Sequence, residues 1–194
     1  VEEARDFNED AQPGDFLEME IPISAFGRQT IQTAKQLLNQ QIRDAERQKI
    51  MDTYRSRIGT MVSGEVLRLE QSNIIVKLGK QTEAMIPARE QIRRERWAQG
   101  NSIKAVIARV EESSKNGAQV VLSRANGDFL KELFRQEVPE IYEGTVEIKG
   151  VAREPGFRAK IAVYSRDEKI DPVGACVGMK GARVQTIVRE LGNE

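Results

Sequence analysis

The stretch that decides the fold is Pro172-Val173-Gly174-Ala175-Cys176-Val177-Gly178-Met179-Lys180-Gly181-Ala182-Arg183-Val184-Gln185-Thr186-Ile187-Val188-Arg189-Glu190-Leu191. At its centre Gly178, Met179, Lys180 and Gly181 form a G-x-x-G turn. Val173 and Val177 before it, and Val184, Ile187, Val188 and Leu191 after it, recur at helical spacing. The pattern predicts two short helices meeting at a glycine corner. Glycines at both ends of the turn let another backbone approach closely, because no Cβ stands in the way. Amides freed at the start of the second helix carry partial positive charge, and Lys180 and Arg183 add full charges beside them. Such a corner suits a phosphate backbone; a helix–turn–helix corner without a ligand is the plainer alternative.

The residues upstream add context. Phe129, Leu130, Leu133, Phe134 and Val138 give a helical face within 126–143, which Pro139 limits. Two strands are predicted at Thr145–Val151 and Phe157–Ser165, with Val146, Ile148, Ile161 and Val163 inward. Arg153-Glu154-Pro155-Gly156 reads as the turn between them. Helix, strand, strand, helix, G-x-x-G, helix resembles a prokaryotic-type KH domain (αββαα), whose loop clamps about four nucleotides. That order closes with one more strand, expected beyond Glu194, so the last strand is read as missing here. The resemblance implies RNA contacts at Gly178, Met179, Lys180 and Gly181, with Arg183, Arg153, Arg158 and Lys160 as helpers.

The chain has 194 residues, of which 31% are charged and 5% aromatic, so its cores must rest on Val, Ile and Leu. It opens on Val, which suggests a piece of something longer. No apolar run reaches membrane-spanning length and no signal peptide opens it, so a cytoplasmic protein without membrane contact is expected. The single Cys176 fits a buried thiol in a reducing compartment. With no histidine, Ser-His and Cys-His catalysis are excluded, as is a typical zinc site. Net charge is zero but uneven: residues 1–27 carry −7, 28–60 +4, 61–126 +4 and 127–194 −1. A basic middle suits a polyanion, although solvated faces look alike in sequence.

Residues 1–15 are polar and acidic and close with Pro13-Gly14; Phe16–Ile23 alternate as a strand, and Ser24 is a candidate helix cap. Residues 28–57 form the longest helical pattern, with Ile31, Ala34, Leu38, Ile42 and Ala45 on one stripe. Its first half is expected to cover a small sheet. Its second half overshoots that sheet and reads as a rigid connector. Five β-rich runs follow: Thr60–Leu69, Asn73–Leu78, Thr82–Ile86, Ser102–Val110 and Gln119–Ser123. Turn residues between them, such as Gly79-Lys80 and Asn116-Gly117, predict a small OB-type barrel.

Gly64-x-Val66, Val76-x-Leu78, Glu83-Ala84-Met85-Ile86-Pro87, Gly100 and Leu122-Ser123 resemble the S-one RNA-binding domain. The second strand lacks the aromatics on which bases stack in such domains. Weak, auxiliary phosphate contacts are expected from Arg68, Lys77 and Lys80 and from the connection carrying Arg89, Arg93, Arg94 and Arg96 beside Trp97, with a spacer or a protein contact as the alternatives.

Barrel followed directly by KH, with Glu137-Val138-Pro139-Glu140-Ile141-Tyr142 at the join, resembles the NusA family of bacterial transcription factors. So do Val151-Ala152-Arg153-Glu154-Pro155-Gly156, Asp171 to Gly178, and Phe26-Gly27-Arg28-Gln29. The implied architecture is multidomain α+β. Residues 1–57 are the C-terminal half of a polymerase-binding N-terminal domain (partial α/β, with connector helix 28–57), 58–125 the five-stranded S-one barrel, and 126–194 the first KH domain. The implied function is a non-enzymatic, monomeric, cytoplasmic factor. It contacts RNA polymerase and nascent single-stranded RNA, with other Nus-type antitermination factors as further partners, and modulates pausing, termination and antitermination. No cofactor or metal is implied. The alternatives are an RNA-decay accessory module and a protein-binding adaptor. In the decay enzymes KH precedes the barrel, and this chain has no P-loop or acidic metal cluster. Asp167, Glu168 and Asp171 read as a solvated turn.

Overall fold

The structure, a computed structural model, describes Pro22 and residues 26–79, 82–111 and 120–194. The predicted strand at 16–23 (Pro22 apart), the Pro13-Gly14 loop, Ser24, Lys80 and the Asn116-Gly117 turn lie outside the described residues. The chain divides into two compact units, 1–44 and 45–194.

In the first unit the described residues are Pro22, Phe26, Gly27 and the start of helix α1 (Arg28–Arg55), which begins where Gly27 O accepts the amides of Thr30 and Ile31. Ile31, Leu37, Leu38 and Ile42 stand exposed on it. The sheet expected beneath this stripe falls on residues outside the described set.

The second unit starts with the last turns of α1, where Tyr54 is buried and Ile50 packs with it against the barrel core. Five strands follow: β1 (Met61–Glu70), β2 (Asn73–Leu78), β3 (Thr82–Ile86), β4 (Ser102–Val110) and β5 (Val120–Ser123). They close in the order β1-β2-β3-β5-β4, with β3 and β5 parallel and β1 returning to β4. This is the barrel topology that the five predicted runs called for. Ile74, Val76 and Leu78 alternate inward from β2 and meet Ala84, Ile86, Ile103, Ile107 and Leu122.

Closure depends on β1 serving two partners. Met61–Glu65 pairs with β4, and Glu65–Glu70 pairs with β2. The register shifts between Val66 and Arg68, a bulge that lets the strand bend. At the bend, β2 crosses so closely that a Cβ on Gly64 would lie 2.5 Å from Val76 Cγ1 and 2.6 Å from the Lys77 carbonyl oxygen. Only a bare α-carbon fits there.

Helix α2 (Gly127–Glu137) begins three residues after the barrel ends. The sequence placed a helix within 126–143 that Pro139 limits, and Val138 turns extended there (φ −117°, ψ 101°), because the ring of Pro139 disfavours helical geometry in the residue before it. A short helix α3 (Pro139–Tyr142) then restarts with proline in its first turn. Strands β6 (Val146–Glu154) and β7 (Arg158–Ser165) form an antiparallel pair. Helix α4 (Pro172–Val177) and helix α5 (Ala182–Glu190) flank the glycine loop. β6 runs on to Glu154, so Arg153 belongs to the strand and not to the turn.

Barrel and KH domain share a core. Ile92 and Val106 of the barrel are buried with Phe129, Leu133, Val146, Cys176, Ile187 and Leu191 of the KH domain. Arg124, 1% exposed, holds the joint. It donates through Nε to Glu95 Oε2 (2.8 Å) and through Nη2 to Glu95 Oε1 (2.5 Å). It also donates to Lys104 O (2.5 Å), Glu190 Oε1 (3.0 Å) and Glu190 O (2.9 Å). Its guanidinium lies 5.0 Å from the ring centre of Trp97 and 4.8 Å from that of Phe129. The linker has no slack. The Arg124 and Ala125 amides bond to Glu90 O, and the Asn126 amide bonds to Ser123 Oγ. The Asn126 side chain caps α2 at the Asp128 amide.

Two substitutions test this account. Arg124→Ala strands the Glu95 and Glu190 carboxylates and is expected to cost about 3–5 kcal/mol in urea denaturation followed by Trp97 fluorescence. Removing Glu95 as well, as in R124M/E95Q, recovers part of that loss. Gly64→Ala forces β1 and β2 apart and is expected to cost about 1–3 kcal/mol, with a lowered denaturation midpoint.

Candidate nucleic-acid interface

The G-x-x-G loop is built on a backbone that only its own sequence tolerates. Gly178 sits at φ 74°, ψ 175°, a region essentially closed to residues with a Cβ. A Cβ there would also lie 2.8 Å from Arg183 Cγ. Gly181 is left-handed at φ 78°, ψ 13°. Lys180 is left-handed as well (φ 53°, ψ 26°), an uncommon state for a residue with a long side chain. The glycines on either side fix the chain so that Lys180 has no helical alternative, and Met179 projects with 89% of its surface open. The loop is thus a rigid, exposed corner.

Its two helices are anchored. Asp171 caps α4 by accepting from the Val173 and Gly174 amides, each at 3.0 Å. Asp167 Oδ1 accepts from the Lys169 amide. Two of the three carboxylates in that acidic turn therefore serve backbone donors, as a structural turn requires. Arg183 bonds to Ala175 O (2.6 Å) and Glu140 Oε2 (3.0 Å), which ties α5 to α4 and to the short helix α3. Beside the loop an apolar cleft of about 250 Å³ runs between β7, α4 and α5, lined by Ile161, Val163, Val173, Val177, Val184 and Val188 among others.

Lys180 and Met179 reach into solvent at the corner, whereas Arg183 braces the loop and has a carboxylate partner. Arg158 and Lys160 point outward from β7; Arg158 lies opposite Glu154 and Lys160 opposite Ala152. On the barrel, Arg68 bonds to Glu70 (2.5 Å) and Glu83 (3.0 Å). Glu83 first and Glu70 second push its pKa further up, so its charge is permanent but locally matched. Lys77 is exposed, in register with Glu65 on one side and Glu83 on the other. Lys80 lies outside the described residues. On the face of β2 away from the barrel core stand Asn73, Ile75, which is buried with Met85, and Lys77, and no aromatic ring stands on that strand.

Arg153 requires a correction. Its side chain is 3% exposed and donates to both carboxylate oxygens of Glu194, through Nε at 2.7 Å and Nη2 at 2.9 Å. Nη1 donates to Arg124 O (2.7 Å) and Asn126 O (2.9 Å). It is a brace of the joint and is withdrawn from the RNA-contact set. Sequence reasoning took its charge as available because Glu194 stands far along the chain. It missed Glu140 as the partner of Arg183 for the same reason. Nothing local in the sequence signals either pair.

The comparisons with known proteins follow the same order of modules. The family model described as NusA N-terminal domain matches residues 1–48, S1 RNA binding domain 55–124, and NusA-like first KH domain 124–194. The chain belongs to the NusA family. It is 46% identical over 194 residues to the transcription termination/antitermination protein NusA of Halalkalibacterium halodurans, covering 100% of this chain and 50% of that protein. The Bacillus subtilis NusA protein of the same name is 46% identical over 194 residues, covering 100% and 52%. That of Thermus thermophilus is 42% identical over 193 residues, covering 99% and 49%. The chain thus spans about half the length of these NusA relatives. Among the described residues no helix is long and apolar enough to cross a membrane.

Cys176 faces the shared core at the foot of the loop. Burial first, then the nearby Glu140 carboxylate, pushes its thiol pKa up, and Arg183 opposes them. The folded state therefore holds the thiol proton more tightly than the unfolded chain does. The stability this adds is full below the ordinary thiol value, near 8.5, and is lost as pH rises through the folded value. At pH 8 we expect iodoacetamide to modify Cys176 far more slowly in the native protein than in urea. Equal rates would place the thiol outside the core.

Proposed function

We propose that this chain is the part of a NusA-type transcription factor that holds nascent single-stranded RNA beside RNA polymerase. The observation that carries the reading is the rigid Gly178–Gly181 corner with Met179 and Lys180 outermost. Phosphates lie against Lys180 and the loop backbone, and bases turn toward the cleft of Val173, Val177, Val184 and Val188. Arg158 and Lys160 extend positive charge along β7, and Lys77, Lys80 and Arg68 act as weaker auxiliary contacts on the barrel.

The domain reading is 1–57 for the polymerase-binding part, 58–125 for the barrel and 126–194 for the first KH domain. It works by binding energy and not by bond chemistry, as a cytoplasmic monomer without cofactor. RNA held as it leaves the polymerase shifts hairpin formation, and with it pausing, termination and antitermination. Other Nus-type factors are further partners. The names of the relatives and the match of residues 1–48 to the NusA N-terminal domain support the polymerase side of the reading.

Changing Met179 and Lys180 together to Asp sets negative charge against phosphate. Fluorescence anisotropy with a labelled single-stranded RNA should show affinity falling by roughly tenfold or more, with the circular dichroism spectrum unchanged. Unchanged affinity would remove the loop from the interface. Parent binding should also weaken with salt, by a slope near −0.7 in log affinity per phosphate engaged. A flat response would favour a protein partner for the basic surface.

A further inference from the structure

Three aromatic rings among the described residues are exposed and have a cation over them: Tyr142 with Arg135, Tyr164 with Lys149, and Phe157 with Arg94. Arg135 is paired with Glu132 and Lys149 with Glu147, so those rings sit in locally balanced charge. Arg94 differs. Among the described residues no carboxylate pairs with it, nor with its neighbours Arg93 and Arg96 or with Arg158. Its guanidinium lies 5.3 Å from the centre of the Phe157 ring, which is 62% exposed.

The two residues come from different domains. Arg94 belongs to the connection between β3 and β4 of the barrel, and Phe157 to the turn between β6 and β7 of the KH domain. The turn is docked. Gly156 (φ +77°) lies so close to Ile92 that a Cβ would stand 2.8 Å from Ile92 Cγ2. The Gly156 amide donates to Glu194 Oε2 at 2.8 Å, and the Phe157 amide to Glu154 O at 3.0 Å. A large apolar ring is therefore held out in solvent by a turn that has no freedom to withdraw it, with an uncompensated guanidinium over it.

We propose that Phe157 and Arg94 form a nucleobase-stacking platform at the joint of barrel and KH domain, and that it takes a base of the single-stranded RNA whose phosphates the G-x-x-G loop grips. This rests on the RNA-binding reading above. The chemistry matches the ligand. A base stacks on an aromatic ring or on a guanidinium plane, Arg93, Arg96 and Arg158 supply charge for the flanking phosphates, and a preformed platform carries little ordering cost. It also supplies the stacking that β2 of the barrel lacks. Helix α5, rising 1.5 Å per residue over its nine residues, sets the loop about 14 Å from its own far end at Glu190, where Arg124 ties it to the barrel. The platform is thus a second hold on the strand, separate from the loop.

The test uses the whole chain and a fluorescein-labelled 12-nucleotide oligoadenylate, with native structure followed by circular dichroism. Phe157→Ala should weaken binding roughly 5- to 100-fold, the range of one lost stack. Arg94→Gln should weaken binding by loss of the guanidinium face, whereas Arg93→Gln should reduce the salt slope by about 0.7. Phe157→Trp should keep affinity, and its emission should be quenched by the RNA beyond any change seen for Trp97 in the parent. That quench is read even if Phe157→Ala folds poorly. If the parent binds and both Phe157 variants bind as the parent does, without quenching, the platform is overturned while the loop reading stands. If the parent does not bind the RNA, the proposed function itself fails.

Discussion

Arg124 is a positive charge held out of water where two domains meet, and the arrangement around it follows from that placement. A buried guanidinium is tolerated only when its donors find acceptors and its charge finds a partner. Glu95 comes from the barrel's connection, Lys104 O from a barrel strand, and Glu190 from the last turn of the KH domain. Satisfying one side chain therefore fixes three separate elements. Arg153 repeats the device from the other side, donating to the carbonyls of Arg124 and Asn126 while Glu194 neutralises it. Phe129 lies between the two guanidinium groups, 4.8 Å from one and 5.9 Å from the other. The glycine loop, at the start of the helix that ends on Arg124, inherits its position from this joint.

The loop and the joint stabilise different things. In the loop, conformational freedom is removed by local backbone geometry at Gly178, Lys180 and Gly181, so the shape offered to a ligand needs no help from distant residues. At the joint, freedom is removed by long-range contacts between residues tens of positions apart. The first makes a rigid, exposed corner and the second aims it. Charges follow the same division. Lys180 and Lys160 have no carboxylate pair among the described residues and remain available. Arg183, Arg68 and Glu147 are matched by neighbours; Lys149 and then Arg166 hold the Glu147 carboxyl below its usual range.

Much of this was legible in the sequence because period and glycine placement are local signals. The five β-rich runs separated by turn residues gave the barrel strands, and the apolar spacing around Gly178 and Gly181 gave the helix pair. The break at Val138 was legible from Pro139, which limits the helix of the 129–138 stripe. The partners of charges were not legible. Arg153 and Arg158 are five residues apart and look alike in sequence, yet one is buried against Glu194 and the other points outward. Arg68 meets a carboxylate two strands away across the barrel face, fifteen positions on at Glu83. Charge is a property of a residue, but its availability is a property of the fold.

The short passage from Ser123 to Gly127 has an evolutionary implication. RNA-binding modules are often regarded as beads that can be shuffled on a string. Here the string is three residues long, its amides are committed to Glu90 and Ser123, and its first side chain plugs both beads at once. Recombination at this boundary would deliver a barrel without Glu190 or a KH domain without Glu95, each leaving a charge in the dark. The joint therefore couples the two modules: a change at Glu95, Arg124 or Glu190 alone removes a partner from the others.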